Sequence, residues 1–336
     1  MQLTRSQSFV ACQKPIFGID KQLALYRKML LIRKVEEMLG NASLAAELPG
    51  PVHLYVGQEA IAVGVCDHLA ETDWIASTHR GHGHFLAKGG DTAALVAEVF
   101  GRETGICRGR GGSMHVADFS RGIIGANGIV AGGLALAAGA AWAAQLEGTG
   151  RIAVAFFGDG AANQGVLMET LNLSSLWKLP LILVCENNGF AEFSPSATVT
   201  SGRIAERAVP FSVAHRTVDG NNLEAVWLAA EEAVAHARGG GGPILLEFET
   251  YRLRGHMEQE MAFLSKTYRT NAEVEERRSA DPIRRFREAL IAHRFATAAD
   301  LDDLEAEVQD EVVRAKQAAK AAPWPDVTGA KDFMFA

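Results

Sequence analysis

The chain holds 336 residues, 48% hydrophobic and 22% charged, with a formal net charge of −7. That is a globular composition with enough chain for one large domain or two modest ones, and no Lys/Arg block offers a surface for nucleic acid. Cys12, Cys66, Cys107 and Cys185 are widely spaced and form no CxxC pair, which argues for a reducing compartment and against both a zinc site and a disulfide framework. The N-terminus lacks the apolar core of a secretory signal and is poor in arginine, so the expectation is a cytoplasmic protein with no membrane partner.

Residues 1–22 read as an N-terminal arm. From 23 to 46, Leu25, Met29, Leu30, Ile32, Val35, Met38 and Leu39 recur at helical spacing and predict an amphipathic helix. Residues 58–70 and 91–100 predict two more helices; between them, WIAST (74–78) predicts a short strand feeding a loop rich in glycine and histidine. Residues 105–128 are too glycine-dense for a long regular element and read as a functional loop. The uncharged stretch from Gly128 to Ala144 is mostly Gly and Ala. It falls short of the roughly 20 strongly apolar residues of a membrane span and reads as a buried helix in close contact with a neighbour.

RIAVAFF (151–157) is a continuous apolar run with β-branched members, as expected of a strand buried on both faces. GDGAANQG (158–165) turns the chain, a helix follows over 166–177, and LILVC (181–185) is a second buried strand ending at Glu186-Asn187-Asn188. This βαβ unit predicts an α/β fold, a parallel sheet with helices on both faces. A helix over 222–237, GGGGP (239–243) and a strand over 244–250 repeat the scheme. Beyond about residue 271 the chain is charged and helical to about 321, expected as a C-terminal appendage. The expected division is an arm (1–22), a binding domain (23–270) and a helical extension (271–336).

In open α/β sheets, ligands bind beyond the carboxyl ends of the strands. Two neighbouring strand ends carry oxygen donors here, Asp159 and Asn188. A carboxylate with carboxamide and backbone oxygens suits magnesium, which completes its shell from phosphates and water. Gly158 and Gly160 let the backbone approach those phosphates, and a helix expected to start near Ala161 points free amides at them. GDG alone is a common turn; joined to ENN at the next strand end it is far more specific. The rival is a nicotinamide or flavin oxidoreductase, because GDGAAN loosely mimics G-x-G-x-x-G and Glu186 stands where a ribose-binding acid would. Asn163 in place of the third glycine, and Asp159 inside the turn, oppose it. A non-catalytic scaffold subunit of the same fold is a third reading, opposed by the intact Asp159 and Asn188.

GDG followed after about 30 residues by NN resembles the thiamine diphosphate (ThDP) motif. The likeness extends over roughly residues 23–290, through HLYVGQEA (53–60), STHRGHGHFLAKGG (77–90), GRGGSMH (109–115), GANGIV (125–130), FFGDGAANQG (156–165), LWKLP (176–180), CENN (185–188) and YRLRGH (251–256). In order, these resemble the alpha subunit of the E1 component of 2-oxo acid dehydrogenase complexes and of acetoin dehydrogenases. The resemblance implies a ThDP-binding fold and a ThDP-dependent oxidoreductase. It would cleave acetoin or a 2-oxo acid such as pyruvate and pass the acyl unit to a lipoyl-bearing E2. It also implies an E1 beta subunit in an α2β2 heterotetramer, with sites at the alpha–beta interface. It assigns Mg²⁺ to Asp159, Asn188 and the main-chain oxygen of Phe190; the diphosphate to Gly160, Ala161 and Arg80; a cofactor-binding role to His79, a histidine that acetoin-type members share where pyruvate-type members often have tyrosine; and the aminopyrimidine to the backbone of Gly128 and Val130. His53 and His256 line the reacting centre and orient substrate or shuttle protons.

The other histidines carry less. His68, His215, His236 and His293 read as structural or surface residues, His82 and His84 as shaping their loop, and His115 as structural. Two stretches depart from the family pattern. Met257 and Glu258 stand where regulated animal-type members carry serines, which argues against phosphorylation control. GFAEFSPS (189–196) replaces the commoner tyrosine-containing run, and Glu192 and Phe193 can alter the substrate channel.

Overall fold

The structure, a computed structural model, describes residues 17–333. Most of the expected arm and Cys12 therefore lie outside the described residues. The chain opens with α1 (Ile19–Leu44), α2 (Glu59–Cys66), β1 (Trp74–Ala76), α3 (Gly81–Ala87), α4 (Thr92–Val99) and β2 (Ile123–Gly125). It continues with α5 (Gly132–Glu147), β3 (Ala153–Gly158), α6 (Gly165–Leu176), β4 (Leu181–Asn187), a small hairpin of β5 (Phe190–Ala191) and β6 (Ser194–Pro195), and α7 (Ser196–Val199). Then come β7 (Ala214–Asp219), α8 (Leu223–Arg238), β8 (Ile244–Glu249), α9 (Asn271–Arg278), α10 (Pro282–Ala292) and α11 (Ala298–Ala321).

Six strands form one sheet in the order β2-β1-β3-β4-β8-β7, every neighbouring pair parallel. Alternation along the strands builds two cores. Val154, Phe156, Ile182 and Val184 face a layer supplied by α1, α2, α4 and α8, while Ala153, Ala155, Phe157, Leu181 and Leu183 face α5 and α6. With both faces covered, the central strands must be apolar throughout, as their sequences are. No described helix is long and apolar enough to cross a membrane.

Four expectations are corrected. The glycine- and histidine-rich segment after β1 is a helix, α3, buried along its whole length. It exists because its glycines admit neighbours: a Cβ on Gly83 would stand 2.2 Å from the Tyr55 ring. The chain beyond Gly160 makes a 3₁₀ turn over Ala161–Asn163, and α6 begins only at Gly165. Helix α5 is buried on one face (Leu134, Ala137, Ala141, Ala144) and leaves Leu136, Trp142 and Leu146 exposed on the other. The edge strand β7 was not foreseen, because AHRTVD is polar and largely exposed.

The C-terminal helices are tied into the first core. Leu301, Val308, Val312, Ala315 and Ala319 of α11 join it, and α11 packs on α1 and α4. At the start of α10, Asp281 caps the helix through the amides of Ile283 and Arg284 and also takes Arg33 of α1 at 2.9 Å. Arg33 in turn binds the fully buried Glu59 of α2 at 2.6 Å. Truncating Leu301 to alanine should therefore destabilise the chain by about 2–5 kcal/mol in denaturant unfolding; an unchanged midpoint would mean that α11 adds nothing to this core.

Candidate active site

Three imidazoles from distant segments meet beyond the carboxyl end of the sheet. His53 lies before α2, His79 before α3 and His256 after β8. The His53 ring centroid is 4.8 Å from those of both His79 and His256, and His79 is 5.4 Å from His256. Two buried guanidiniums flank them. Arg80 donates to the carbonyls of Leu54 (2.8 Å) and His256 (2.9 Å). Arg252 donates to the Glu192 carbonyl and the Tyr268 hydroxyl. Both approach His256 Nδ1 at 3.3 Å. Arginine can only donate, so Nδ1 is the acceptor and the His256 proton belongs on Nε2.

Burial first, and then the Arg80 charge, keeps the imidazoles neutral. His53 is pushed down to about 3 and His256 to about 2, and His79 lies well below the ordinary histidine range. Arg80 is itself pushed down to about 9 by burial and by Arg252. Among the described residues neither guanidinium forms an ion pair with a carboxylate. Two buried cations without an acid are a setting for an anion.

The second group stands on the strand ends. β3 and β4 run in register with Gly158 opposite Glu186, so Asp159 and Asn188 emerge side by side from the sheet. Asp159 is 1% exposed; its carboxylate accepts the Ser196 hydroxyl, and burial raises its pKa. Asn188, also buried, donates to Gln58 Oε1 at 3.0 Å and accepts from the Phe190 amide at 3.2 Å. A Cβ on Gly160 would stand 2.9 Å from Ala191 Cβ, so this turn closes on the β5–β6 hairpin only as glycine. Ala161 is buried beside it. The groups adjoin: the Arg252 guanidinium is 5.4 Å from the Phe190 ring, and the Phe193 ring is 5.4 Å from His256. No cluster of three or more His, Cys, Asp or Glu side chains suited to a metal occurs among the described residues. A cation held by Asp159, Asn188 and a carbonyl would need further oxygens from its ligand.

Gly128 and Val130 lie exposed just before α5. Their loop passes the Arg80 segment, because a Cβ on Gly81 would fall 2.5 Å from Ala126 Cβ. On its other side, the His115 ring would be 3.8 Å from a Cβ on Gly128. His115 belongs to the glycine-rich loop after α4, organised by Glu98. This carboxylate, fully buried, accepts the amides of Cys107, Gly109, Gly111 and Gly112 at 2.7–2.9 Å. His82 and His84 sit on α3. His82 bridges Glu36 and the Ser113 hydroxyl (3.0 Å). His84 lies between the Ser77 hydroxyl (2.7 Å) and Glu186 (3.1 Å). Glu186 also accepts the Tyr55 hydroxyl. Its carboxylate is spent inside the protein, which removes the support it lent to a ribose-binding reading.

Sequence reasoning missed Arg252 and Glu98. Arg252 could have been found, since it lies within YRLRGH four residues before His256. Glu98 gave only a faint signal, a lone acid within the apolar stretch Leu95–Val99 of α4.

The depressed imidazoles have a consequence for stability. Unfolded histidines protonate near a pKa of about 6.5, whereas these stay neutral in the fold. Their contribution is complete above that pH and is lost as pH falls below it. Without polyanions, the melting temperature should drop between pH 6.5 and 5, and the His53→Asn/His256→Asn variant should drop less; equal slopes would contradict the neutral cluster.

The model of the dehydrogenase E1 component family matches residues 27–328. The alpha subunit of acetoin:2,6-dichlorophenolindophenol oxidoreductase from Bacillus subtilis is 46% identical, with 91% of each chain covered. Its namesake from Cupriavidus necator is 44% identical over 91% of this chain and 92% of its own. The pyruvate dehydrogenase E1 component subunit alpha of Rhizobium meliloti is 40% identical, covering 93% of this chain and 89% of its own.

Proposed function

This chain belongs to the dehydrogenase E1 component family, and from that membership we propose that it is the alpha subunit of a ThDP-dependent E1 enzyme. It takes acetoin or a 2-oxo acid such as pyruvate as substrate and delivers the acyl unit to a lipoyl-bearing E2. The observation that carries the reading is a pair of charge deficits side by side: among the described residues, the buried carboxylate of Asp159 and the buried guanidiniums of Arg80 and Arg252 form no ion pair. A magnesium diphosphate matches both.

In this reading Asp159, Asn188 and the Phe190 carbonyl hold Mg²⁺. Gly160, Ala161, His79 and Arg80 hold the diphosphate, and Arg252, unforeseen from the sequence, adds a second cation to it. The backbone of Gly128 and Val130 holds the aminopyrimidine. The chemistry that bound ThDP supplies is a stabilised carbon nucleophile for a carbonyl carbon. The protein binds, orients and excludes water. His256, with Nδ1 occupied by the guanidiniums, presents its Nε2 proton to the substrate's carbonyl oxygen, and His53 packs edge-on against it. A bound diphosphate would offset the two guanidinium charges and so relieve the second cause of the depressed imidazoles, burial being the first.

The exposed apolar flank of α5 and α6 supports a beta partner. Leu146 is 72% and Leu176 70% exposed, and Trp142 stacks on Trp177 at 5.2 Å. Ile129 and Val130, just before α5, are exposed as well, and apolar surface of this kind is what a partner subunit would cover.

Two experiments test this. In the complex co-expressed with its beta subunit, thermal stabilisation by ThDP should require Mg²⁺, and Asp159→Asn should weaken ThDP binding by more than about 10-fold. Stabilisation by NAD instead, or an Asp159→Asn complex with unaltered affinity, would overturn the reading. Trp142→Arg should leave the alpha chain folded by circular dichroism yet abolish co-elution with beta. Retained co-elution would exclude this face as the contact.

A further inference from the structure

The turn between β5 and β6 consists of Glu192 and Phe193, and it stands over His256. Glu192 has φ +56°, a conformation that glycine usually supplies in two-residue hairpins. Its carbonyl is fastened by Arg252, and its carboxylate lies 3.9 Å from His256 Nε2, the nitrogen that carries the proton. A second carboxylate, Glu260, accepts the His256 amide at 2.6 Å and the Tyr268 hydroxyl at 3.2 Å. Rings also line this mouth: Phe193 lies 5.3 Å from Tyr268 and 6.1 Å from Phe263. Three arginines are near. Arg269 donates to the Arg252 carbonyl and lies over the rings of Tyr251 and Tyr268, while Arg80 and Arg252 are the cations that the proposed function assigns to the diphosphate.

We propose that Glu192 is a specificity-determining residue that sets this site for uncharged carbonyl substrates, small hydroxyketones or ketones, against 2-oxo acids. The inference rests on the ThDP-dependent reading given above. Once the diphosphate takes up the two guanidinium charges, the charge closest to the reacting end of His256 is negative. A substrate carboxylate beside the carbonyl would meet it, whereas a hydroxyl or methyl group would not. The Glu192 side chain is largely exposed, so the discrimination is modest and sensitive to salt.

The test uses the assembled complex of alpha and beta with Mg²⁺, ThDP and an artificial electron acceptor, and compares kcat/KM for acetoin and pyruvate. Glu192→Gln keeps the shape and removes the charge, and Glu192→Lys reverses it. The pyruvate-to-acetoin ratio should rise by about 3- to 10-fold for Gln and further for Lys, carried mainly by the KM for pyruvate. Raising ionic strength should lower the pyruvate KM in the parent and not in the Gln variant. An unchanged ratio in both variants, or equal losses with both substrates, would overturn the role of Glu192 and leave the enzyme assignment standing. Failure of the parent complex to turn over either compound in a ThDP-dependent manner would sink the enzyme assignment and this inference together.

Discussion

The register of β3 against β4 is the constraint on which the rest depends. Parallel pairing with Gly158 opposite Glu186 delivers a carboxylate and a carboxamide to the same end of the sheet. Both strands are buried on both faces, so neither can slide without turning its core side chains out of place. The strand ends thus inherit the rigidity of the cores beneath them. A charge as costly as buried Asp159 can be held there because the scaffold leaves it nowhere to go.

Around that point the molecule keeps its charges unbalanced in a patterned way. Elsewhere, some buried ions are paired, Glu59 with Arg33 and Asp73 with Arg238 at 2.6 Å, and others are answered by main-chain groups, as Glu98 is by amides and Lys88 by carbonyls. At the site the pairing stops, with Asp159 on one side and Arg80 and Arg252 on the other. Burial, and after it the charge of the same guanidiniums, holds three nearby histidines neutral, so an anion that satisfies the guanidiniums removes the second of these causes.

What the sequence made legible follows from how local each signal is. The βαβ unit and its strand-end oxygens could be read because apolar runs and glycine turns act over a few residues. The α3 helix could not, since glycine and histidine favour no helix by themselves; burial against Tyr55 and Phe156 stabilises it. The half-exposed state of α5 was equally hidden, because Ala and Gly tolerate both environments. His53, His79 and His256 could each be named by resemblance, but their mutual contact joins segments on opposite sides of the sequence. Glu98 was missed because its partners are main-chain amides, which no spacing rule announces, whereas Arg252 stood within YRLRGH and only its contacts were hidden.

Glu98 has a further implication for the loop it holds. Both oxygens of one carboxylate receive four main-chain hydrogens from a stretch with no regular structure. That stretch behaves as a single clasp: its amides should resist exchange with solvent like those of a helix, and should be released together. Because His115 lies against the Gly128 segment, opening the clasp would also loosen the floor beside it. A segment that looks pliable by composition is thereby made one of the stiffer parts of the surface.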